Sequence, residues 1–122
     1  MPLDLKIEGG QVADGTGAPL ARVDVGVRGG TIAVVGALAG VPARRTIDAA
    51  GRLVCPGFID AHSHSDAFLL LEPSAPSKLY QGVTTEVVGN CGCSAAPLLG
   101  AARLPSDWED KTFPGTWRTM AE

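Results

Sequence analysis

Hydrophobic and polar residues alternate along the first part of the chain, as they do in half-buried β-strands. One alternating run covers Leu3–Ile7, and a second covers 23–28. A β-rich run at 31–36 follows immediately after Gly29-Gly30. Two strand-like runs around a glycine pair predict a hairpin, because glycine readily takes the positive φ angles of a primed turn.

The residues between this hairpin and Leu53 carry a weaker pattern. We interpret 43–46 as a polar connection and 47–54 as a strand, a turn centred on Gly51 and the lead into the next strand. Residues 1–54 are therefore predicted to form a small antiparallel sheet, which we assign to the N-terminal part of a small β-sandwich domain.

From Leu53 the alternation gives way to a nearly continuous apolar run that ends at Ile59. Such a run predicts a strand buried on both faces, as in α/β folds, and Pro56 within it predicts an irregular entry. Residues 66–76 are interpreted as a loop. A short helix is predicted over 74–82, capped by Ser74 or Ser77 and ending at Gly82, and a β-branched strand over 83–88.

Strand, helix and strand in this order predict a βαβ unit with a parallel sheet. We assign 55–122 to the first units of a (β/α)₈ barrel, whose complete form takes about 250 residues. The chain is therefore expected to be the N-terminal portion of a larger enzyme, poorly folded and inactive alone. Beyond the second strand, 95–104 is interpreted as a loop or weak helix, 107–110 as surface connection, and 116–122 as the start of a helix.

Composition narrows the possible partners. The chain is 45% hydrophobic, has a net charge of −3 and contains no long block of like charges. Nothing in the composition therefore indicates binding to nucleic acid or to an anionic membrane. No apolar run reaches the roughly 18–20 residues of a membrane span, and the first residues lack the pattern of a secretory signal. The three cysteines are an odd number, which favours reduced thiols and a cytoplasmic location.

Candidate metal ligands follow the two predicted parallel strands. His62 and His64, the only two histidines, come directly after the first strand, and Cys91 comes after the second. The carboxyl ends of neighbouring parallel strands lie at one edge of the sheet, about 4.8 Å apart. A thiolate with two imidazoles favours zinc over magnesium or calcium. Bound zinc lowers the pKa of water and polarises a carbonyl, which points to amide hydrolysis.

Each of these residues also has an ordinary structural interpretation. A His-x-His pair can be two polar residues at a strand end, and a cysteine often only packs. Cys91 is favoured as a ligand because it lies between Asn90 and Gly92 in a glycine-rich turn. Cys93 ranks below Cys91, and Cys55 is interpreted as core filler.

Weaker signals come from Asp60, Asp66, Lys78 and Trp108. In an extended chain, alternate side chains lie on the same face, so Asp60 and Asp66 would lie on the same face as His62 and His64. Asp60 is predicted to orient a histidine through its second ring nitrogen, whereas Asp66 could orient a ligand, contact substrate or cap a loop. Lys78 is predicted to be solvated on its helix, and Trp108 carries no motif.

Two segments resemble a known family. The stretch from Pro56 to His64 (PGFIDAHSH) resembles the first-strand signature of the amidohydrolase superfamily. The stretch from Gln81 to Gly92 (QGVTTEVVGNCG) is similar to the D-aminoacylases, the N-acyl-D-amino-acid deacylases. The resemblance covers most of 3–98, and Cys93 departs from it where relatives often carry an aromatic residue.

This resemblance implies a zinc-dependent hydrolase that cuts the N-acyl amide of a small-molecule N-acyl-D-amino acid. It also implies that Cys91 holds the more tightly bound zinc and that His62 and His64 belong to the adjacent site. The remaining histidine ligands, the catalytic aspartate and the substrate-carboxylate contacts would lie on later strands, so no catalytic acid or base is expected among these 122 residues.

Two alternatives remain open at this stage. One is a cyclic-amide hydrolase of the same superfamily, such as a hydantoinase or dihydroorotase, in which a carbamylated lysine replaces the thiol as bridging group. The other is a non-catalytic metal-binding fragment that is complete as given, which the unpaired strand edges argue against.

Overall fold

The computed structural model describes residues 2–108, 112, 117–119 and 121. The chain divides into two compact units, Met1–Pro56 and Gly57–Glu122. The first unit contains the β-rich N-terminal half, and the second contains both histidines and Cys91. The described part is α/β, with mixed parallel and antiparallel strand pairs.

The first unit is built from six strands. They are β1 (Leu3–Glu8), β2 (Gln11–Val12), β3 (Asp24–Arg28), β4 (Thr31–Gly36), β5 (Ala43–Asp48) and β6 (Leu53–Val54). Four of them form a sheet in the order β4-β3-β1-β5, and β2 pairs with β6. The most buried apolar side chains of this unit include Leu3, Val25 and Leu38.

The predicted hairpin is confirmed. β3 and β4 pair antiparallel, and the turn between them is Gly29-Gly30 with φ angles of 59° and 77°. Residues other than glycine rarely take positive φ angles at two successive positions, so the glycine pair determines this turn.

The prediction of a purely antiparallel sheet is wrong, because one edge strand of the sheet pairs parallel with its neighbour. β5 begins at Ala43, inside the segment interpreted as a connection, and pairs parallel with β1. Arg44 and Arg45 are exposed on this strand. An edge strand with charged side chains is protected from pairing with other chains and needs no apolar alternation, so the pattern did not reveal it.

The second unit contains the predicted βαβ arrangement. Its elements are β7 (Phe58–Asp60), α1 (Asp66–Leu71), α2 (Pro76–Leu79) and β8 (Val83–Glu86), and β7 pairs parallel with β8. The predicted irregular entry at Pro56 is confirmed, since β6 ends at Val54 and β7 begins at Phe58. The prediction of one strand buried on both faces is wrong: Phe58 and Ile59 are 58% and 68% exposed.

Helix α1 replaces part of the predicted loop at 66–76. No side chain caps its first turn, because the Ser65 hydroxyl lies 2.8 Å from the Ser63 hydroxyl instead. A helix of six residues without a capping side chain has no sequence signal. The predicted caps of α2 are also wrong, since its N-cap is Ala75 and the Ser74 hydroxyl donates to Glu72.

Beyond β8 the described residues contain only two 3₁₀ turns, Asn90–Gly92 and Ser106–Trp108. The loop interpretation of 95–104 is therefore confirmed. Trp108 is buried, at 4% exposure, although it was assigned to a surface connection. The predicted helix at 116–122 is not confirmed by its described residues, 117–119 and 121, none of which is helical. Residues 116, 120 and 122 of this prediction lie outside the described residues. Within the part of the chain that the structure describes, no helix is both long and apolar enough to cross a membrane.

Candidate metal centre

The two histidines and Cys91 lie just past the carboxyl ends of the two parallel strands. His62 and His64 follow β7, and Cys91 lies in the 3₁₀ turn after β8. Two backbone hydrogen bonds extend the strand pairing toward the site, from Val87 N to Asp60 O (2.8 Å) and from Ser63 N to Val87 O (3.1 Å). The parallel register therefore delivers both loops to the same edge of the sheet.

The three side chains converge. One ligand atom of each residue lies within 4.8 Å of those of the other two, and all three residues are exposed. Cys91 Sγ lies 3.6 Å from His62 Nε2, and the imidazole centroids of His62 and His64 are 5.4 Å apart. In the described part of the chain, neither Cys55 nor Cys93 belongs to this group.

The spacing of the Cys91 sulfur and the His62 ring nitrogen fits a tetrahedral transition-metal ion. A sulfur at about 2.3 Å and a nitrogen at about 2.05 Å from zinc, at a tetrahedral angle, lie roughly 3.5 Å apart. The observed Sγ–Nε2 distance of 3.6 Å matches this span. Calcium and magnesium prefer oxygen ligands, so a soft thiolate sulfur and two imidazole nitrogens do not suit either of them.

The backbone of Cys91 is strained. Its φ and ψ angles are 57° and 24°, in the left-handed region that costs a residue other than glycine about 1–2 kcal/mol. Gly89 and Gly92, on either side, also have positive φ angles. A cysteine therefore stands where glycine would be easier to accommodate, which favours a role for its sulfur.

Asp60 does not orient a histidine ring. Its Oδ1 accepts a hydrogen bond from the backbone N–H of His62 (3.2 Å), and its Oδ2 accepts one from Lys78 Nζ (2.7 Å). The bond from Lys78 is the main cause that lowers the pKa of the Asp60 carboxyl below its ordinary value. The predicted contact to an imidazole is wrong because the strand already ends at Asp60, where the carboxylate turns toward Lys78.

Lys78 is not solvated as predicted. Its ammonium contacts Asp60, Glu86 Oε2 (3.4 Å) and Ser63 Oγ (3.2 Å), and its side chain is only 25% exposed. The hydrogen bond with Asp60 chiefly raises the pKa of Lys78. Helix α2 thus supplies a cation between the two strand ends.

Glu86 was missed by the sequence interpretation. It is the last residue of β8, it pairs in register with Asp60, and its side chain is 8% exposed. The Ser63 hydroxyl donates to its carboxylate, and this bond is the main cause that lowers the pKa of Glu86. Two acidic residues ending neighbouring parallel strands require a cation nearby, and that signal could have identified both Glu86 and Lys78.

Asp66 lies outside the ligand group. The chain is no longer extended after Asp60, so alternate residues no longer share a face and Asp66 does not lie beside the histidines. Asp66 is the first residue of α1 and is buried, and its Oδ1 accepts a hydrogen bond from the Gly89 backbone N–H (2.9 Å). Among its three predicted roles, the structure favours a contact that holds a loop.

Replacing Glu86 by glutamine should weaken the fold in a pH-dependent way. The pKa of Glu86 is lowered below its ordinary value of 4.5, so its stabilising contribution is present above pH 4.5 and is lost as the pH falls through the lowered pKa. Urea unfolding of the intact protein between pH 3 and 8 should show Glu86→Gln less stable than the parent at neutral pH, with a difference that shrinks toward the acidic end.

The control for this substitution is Glu72→Gln, which changes an exposed glutamate in the same unit. Its unfolding curve should stay close to that of the parent at every pH. A stability loss in Glu86→Gln that is constant over the whole pH range would show that the charge of Glu86 contributes nothing.

Comparison with known proteins identifies relatives of this arrangement. A family model described as "Amidohydrolase family" matches residues 45–122. The chain is 55% identical to the N-acyl-D-glutamate deacylase of Alcaligenes xylosoxydans xylosoxydans over 95 residues, which covers 78% of the chain and 20% of that enzyme. A D-hydantoinase of Ralstonia pickettii is more distant, at 38% identity over 90 residues.

Two solved structures resemble most of the chain closely. The first is the N-acyl-D-glutamate deacylase of Bordetella bronchiseptica in complex with zinc and a phosphonate inhibitor (TM-score 0.77, 49% identity, 85% of this chain and 24% of that one). The second is a D-aminoacylase (TM-score 0.83, 49% identity, 96% of this chain and 25% of that one). The chain spans about a fifth to a quarter of the length of these proteins.

Proposed function

Because this chain belongs to the amidohydrolase family, we propose that it carries part of the metal site of an N-acyl-D-amino-acid deacylase. The reaction is hydrolysis of the amide bond between an acyl group and the nitrogen of a small D-amino acid. The observation that carries this proposal is the convergence of Cys91 with His62 and His64 within 4.8 Å.

The donor set supports zinc as the metal. Cys91 contributes a sulfur 3.6 Å from His62 Nε2, a span that suits one tetrahedral ion, and His64 contributes a second imidazole within 4.8 Å of both. The deacylase from Bordetella bronchiseptica contains zinc, which agrees with these donors. Bound zinc would polarise the amide carbonyl and lower the pKa of a water molecule.

The chain's own residues hold and orient this site. The parallel pair β7 and β8 delivers the histidine loop and the cysteine turn to one sheet edge. Asp60 accepts a hydrogen bond from the backbone N–H of His62, and Lys78 is ion-paired with both Asp60 and Glu86. Because both carboxylates are paired with Lys78, we assign neither of them as general base and expect that group elsewhere in the protein.

We also propose the larger architecture. Residues 55–122 would form the first βα units of a (β/α)₈ barrel, with β7 and β8 as its first two strands, and 1–54 would form part of a small β-sandwich. The position of the ligands after the strand ends supports this proposal, since barrel enzymes place their sites at that face. We further expect a cytoplasmic location, on the odd number of cysteines.

A substrate panel tests the proposed reaction. The intact protein, stripped with a chelator and reloaded with zinc, should release acetate from N-acetyl-D-glutamate or other N-acetyl-D-amino acids. It should leave the L-enantiomers and hydantoin intact, and the stripped form should be inactive. Opening of hydantoin without deacylation would favour the cyclic-amide alternative, and no hydrolysis of any amide would contradict the proposal.

A further inference from the structure

The candidate ligands lie on two loops that are far apart in sequence. His62 and Cys91 are separated by 29 positions, and residues 61–65 between β7 and α1 form no regular structure. Irregular loops move more readily than the strands they follow. A ligand set shared between two such loops keeps its spacing only if other contacts fix one loop to the other.

The Asn90 side chain makes such a contact. Its Nδ2 donates to Ser63 O (3.1 Å) and to Val87 O (2.8 Å). An amide nitrogen has two hydrogens, so one can bind Ser63 O on the histidine loop while the other binds Val87 O on the segment that leads to Cys91. Ser63 is the residue between the two histidines, and Asn90 directly precedes Cys91. One carboxamide therefore joins the backbone at the histidine pair to the residue next to the cysteine.

Asp66 makes a second link of the same kind. Its Oδ1 accepts a hydrogen bond from the Gly89 backbone N–H (2.9 Å), at the start of the turn that carries Cys91. Asp66 itself is 7% exposed, so this bond is shielded from water. Two side chains, Asn90 from the turn and Asp66 from the start of α1, thus connect the turn Gly89–Gly92 with the segment that follows β7.

The shape of the turn does not itself require asparagine. The described residues other than glycine with a positive φ are Ala75 and Cys91, so Asn90 is not in the left-handed region that favours asparagine. Its carboxamide donates to Ser63 O on the histidine loop as well as to Val87 O, three positions before it in its own segment. The side chain therefore serves the connection between the loops.

We propose that Asn90 is a positioning residue of the metal centre, whose carboxamide sets the distance from the Cys91 sulfur to the two imidazoles. This inference rests on the proposed metal site. Groups that hold metal ligands in place typically contribute 10–100-fold to metal affinity. Loss of the carboxamide leaves Cys91 in a turn whose place relative to His62 and His64 is less well defined.

The test is Asn90→Leu in the intact protein, which keeps the side-chain size and removes both donors. Zinc affinity is measured by competition with a chelator, and the cobalt-substituted protein is examined for its thiolate-to-cobalt charge-transfer band. We expect roughly 10–100-fold weaker zinc binding and a weaker or shifted band. The thermal midpoint of the metal-free protein should change little.

The matched control is Gln81→Met, which removes an amide of the same unit that donates to Ser77 O (2.7 Å) away from the site. Its metal affinity and cobalt spectrum should equal those of the parent. If Asn90→Leu does not fold, Asn90→Ser, which retains one hydroxyl donor, should fold and bind zinc with an intermediate affinity.

Two results would overturn the inference. One is an unchanged zinc affinity and cobalt spectrum in Asn90→Leu. The other is a fall in affinity fully accompanied by unfolding of the metal-free protein in both Asn90 variants, which would assign the residue to stability alone. Cys91→Ala separates this outcome from failure of the metal site: if Cys91→Ala loses zinc while Asn90→Leu keeps it, the site stands and only the positioning role fails.

Discussion

Replacing Cys91 by alanine in the intact protein should abolish most of the proposed zinc binding and lower the proposed deacylase turnover by at least about 100-fold. The reason is the donor count: the described centre offers one sulfur and two imidazoles, and the substitution removes the sulfur. Even groups that only support metal ligands contribute 10–100-fold, so a direct ligand should contribute more. Elemental analysis of the purified protein and turnover of an N-acetyl-D-amino acid measure the two effects.

The control is Cys93→Ala, the same change two positions along the chain at a residue outside the ligand group. Its zinc content and turnover should match those of the parent. Zinc content that is unchanged in Cys91→Ala would disprove ligation by this residue.

A third variant, Cys91→Gly, uses the strain at this position. Glycine accepts the φ angle of 57° without the penalty of a side chain, whereas alanine retains it. Metal-free Cys91→Gly should therefore be more stable than metal-free Cys91→Ala by roughly 0.5–1 kcal/mol, while both lack zinc. Greater stability of Cys91→Gly than of Cys91→Ala would show that this backbone position disfavours a side chain, and loss of zinc in both variants would show that cysteine is kept there for its sulfur.

The second large effect is expected at Gly57, just before β7. A Cβ atom added there would lie 2.1 Å from Thr84 Oγ1, 2.3 Å from Thr84 Cγ2 and 2.7 Å from Thr84 Cβ. The clash includes the atom next to the backbone of β8, so no rotation of the Thr84 side chain removes it. Gly57→Ala should destabilise the intact protein by about 1–3 kcal/mol, measured by urea unfolding.

Two comparisons make this prediction specific. Gly36→Ala adds a Cβ with no atom within 4 Å, so it should change stability by less than about 0.5 kcal/mol. Thr84→Gly removes the obstructing side chain, so the pair Gly57→Ala and Thr84→Gly should be less harmful together than the sum of the two single changes, by roughly 0.5–3 kcal/mol. Strict additivity would show that the two positions do not meet.

The sequence predicted those parts of the molecule that have a local signal. The Gly29-Gly30 hairpin follows from the conformational freedom of two adjacent glycines, and the βαβ order follows from apolar and β-branched runs on either side of a helical segment. The association of His62, His64 and Cys91 followed from a general property of parallel sheets, whose strand ends share an edge.

The elements that were missed depend on contacts between distant residues. β5 is a strand because its backbone pairs with β1, not because its side chains alternate. Lys78 is drawn inward by Asp60 and Glu86, which are 18 and 8 positions away in the chain and adjacent only after the strands pair. Asp66 left the predicted face because the chain stops being extended at the end of β7.

The separation of 29 positions between His62 and Cys91 has a consequence for the order of assembly. Holding two points of an unfolded chain together over such a distance costs roughly 3–4 kcal/mol of chain entropy. The crossover from β7 to β8 closes this loop as the protein folds, so an ion that arrives afterwards does not have to close it. We therefore expect the metal to bind late, after the unit that contains β7 and β8 has folded.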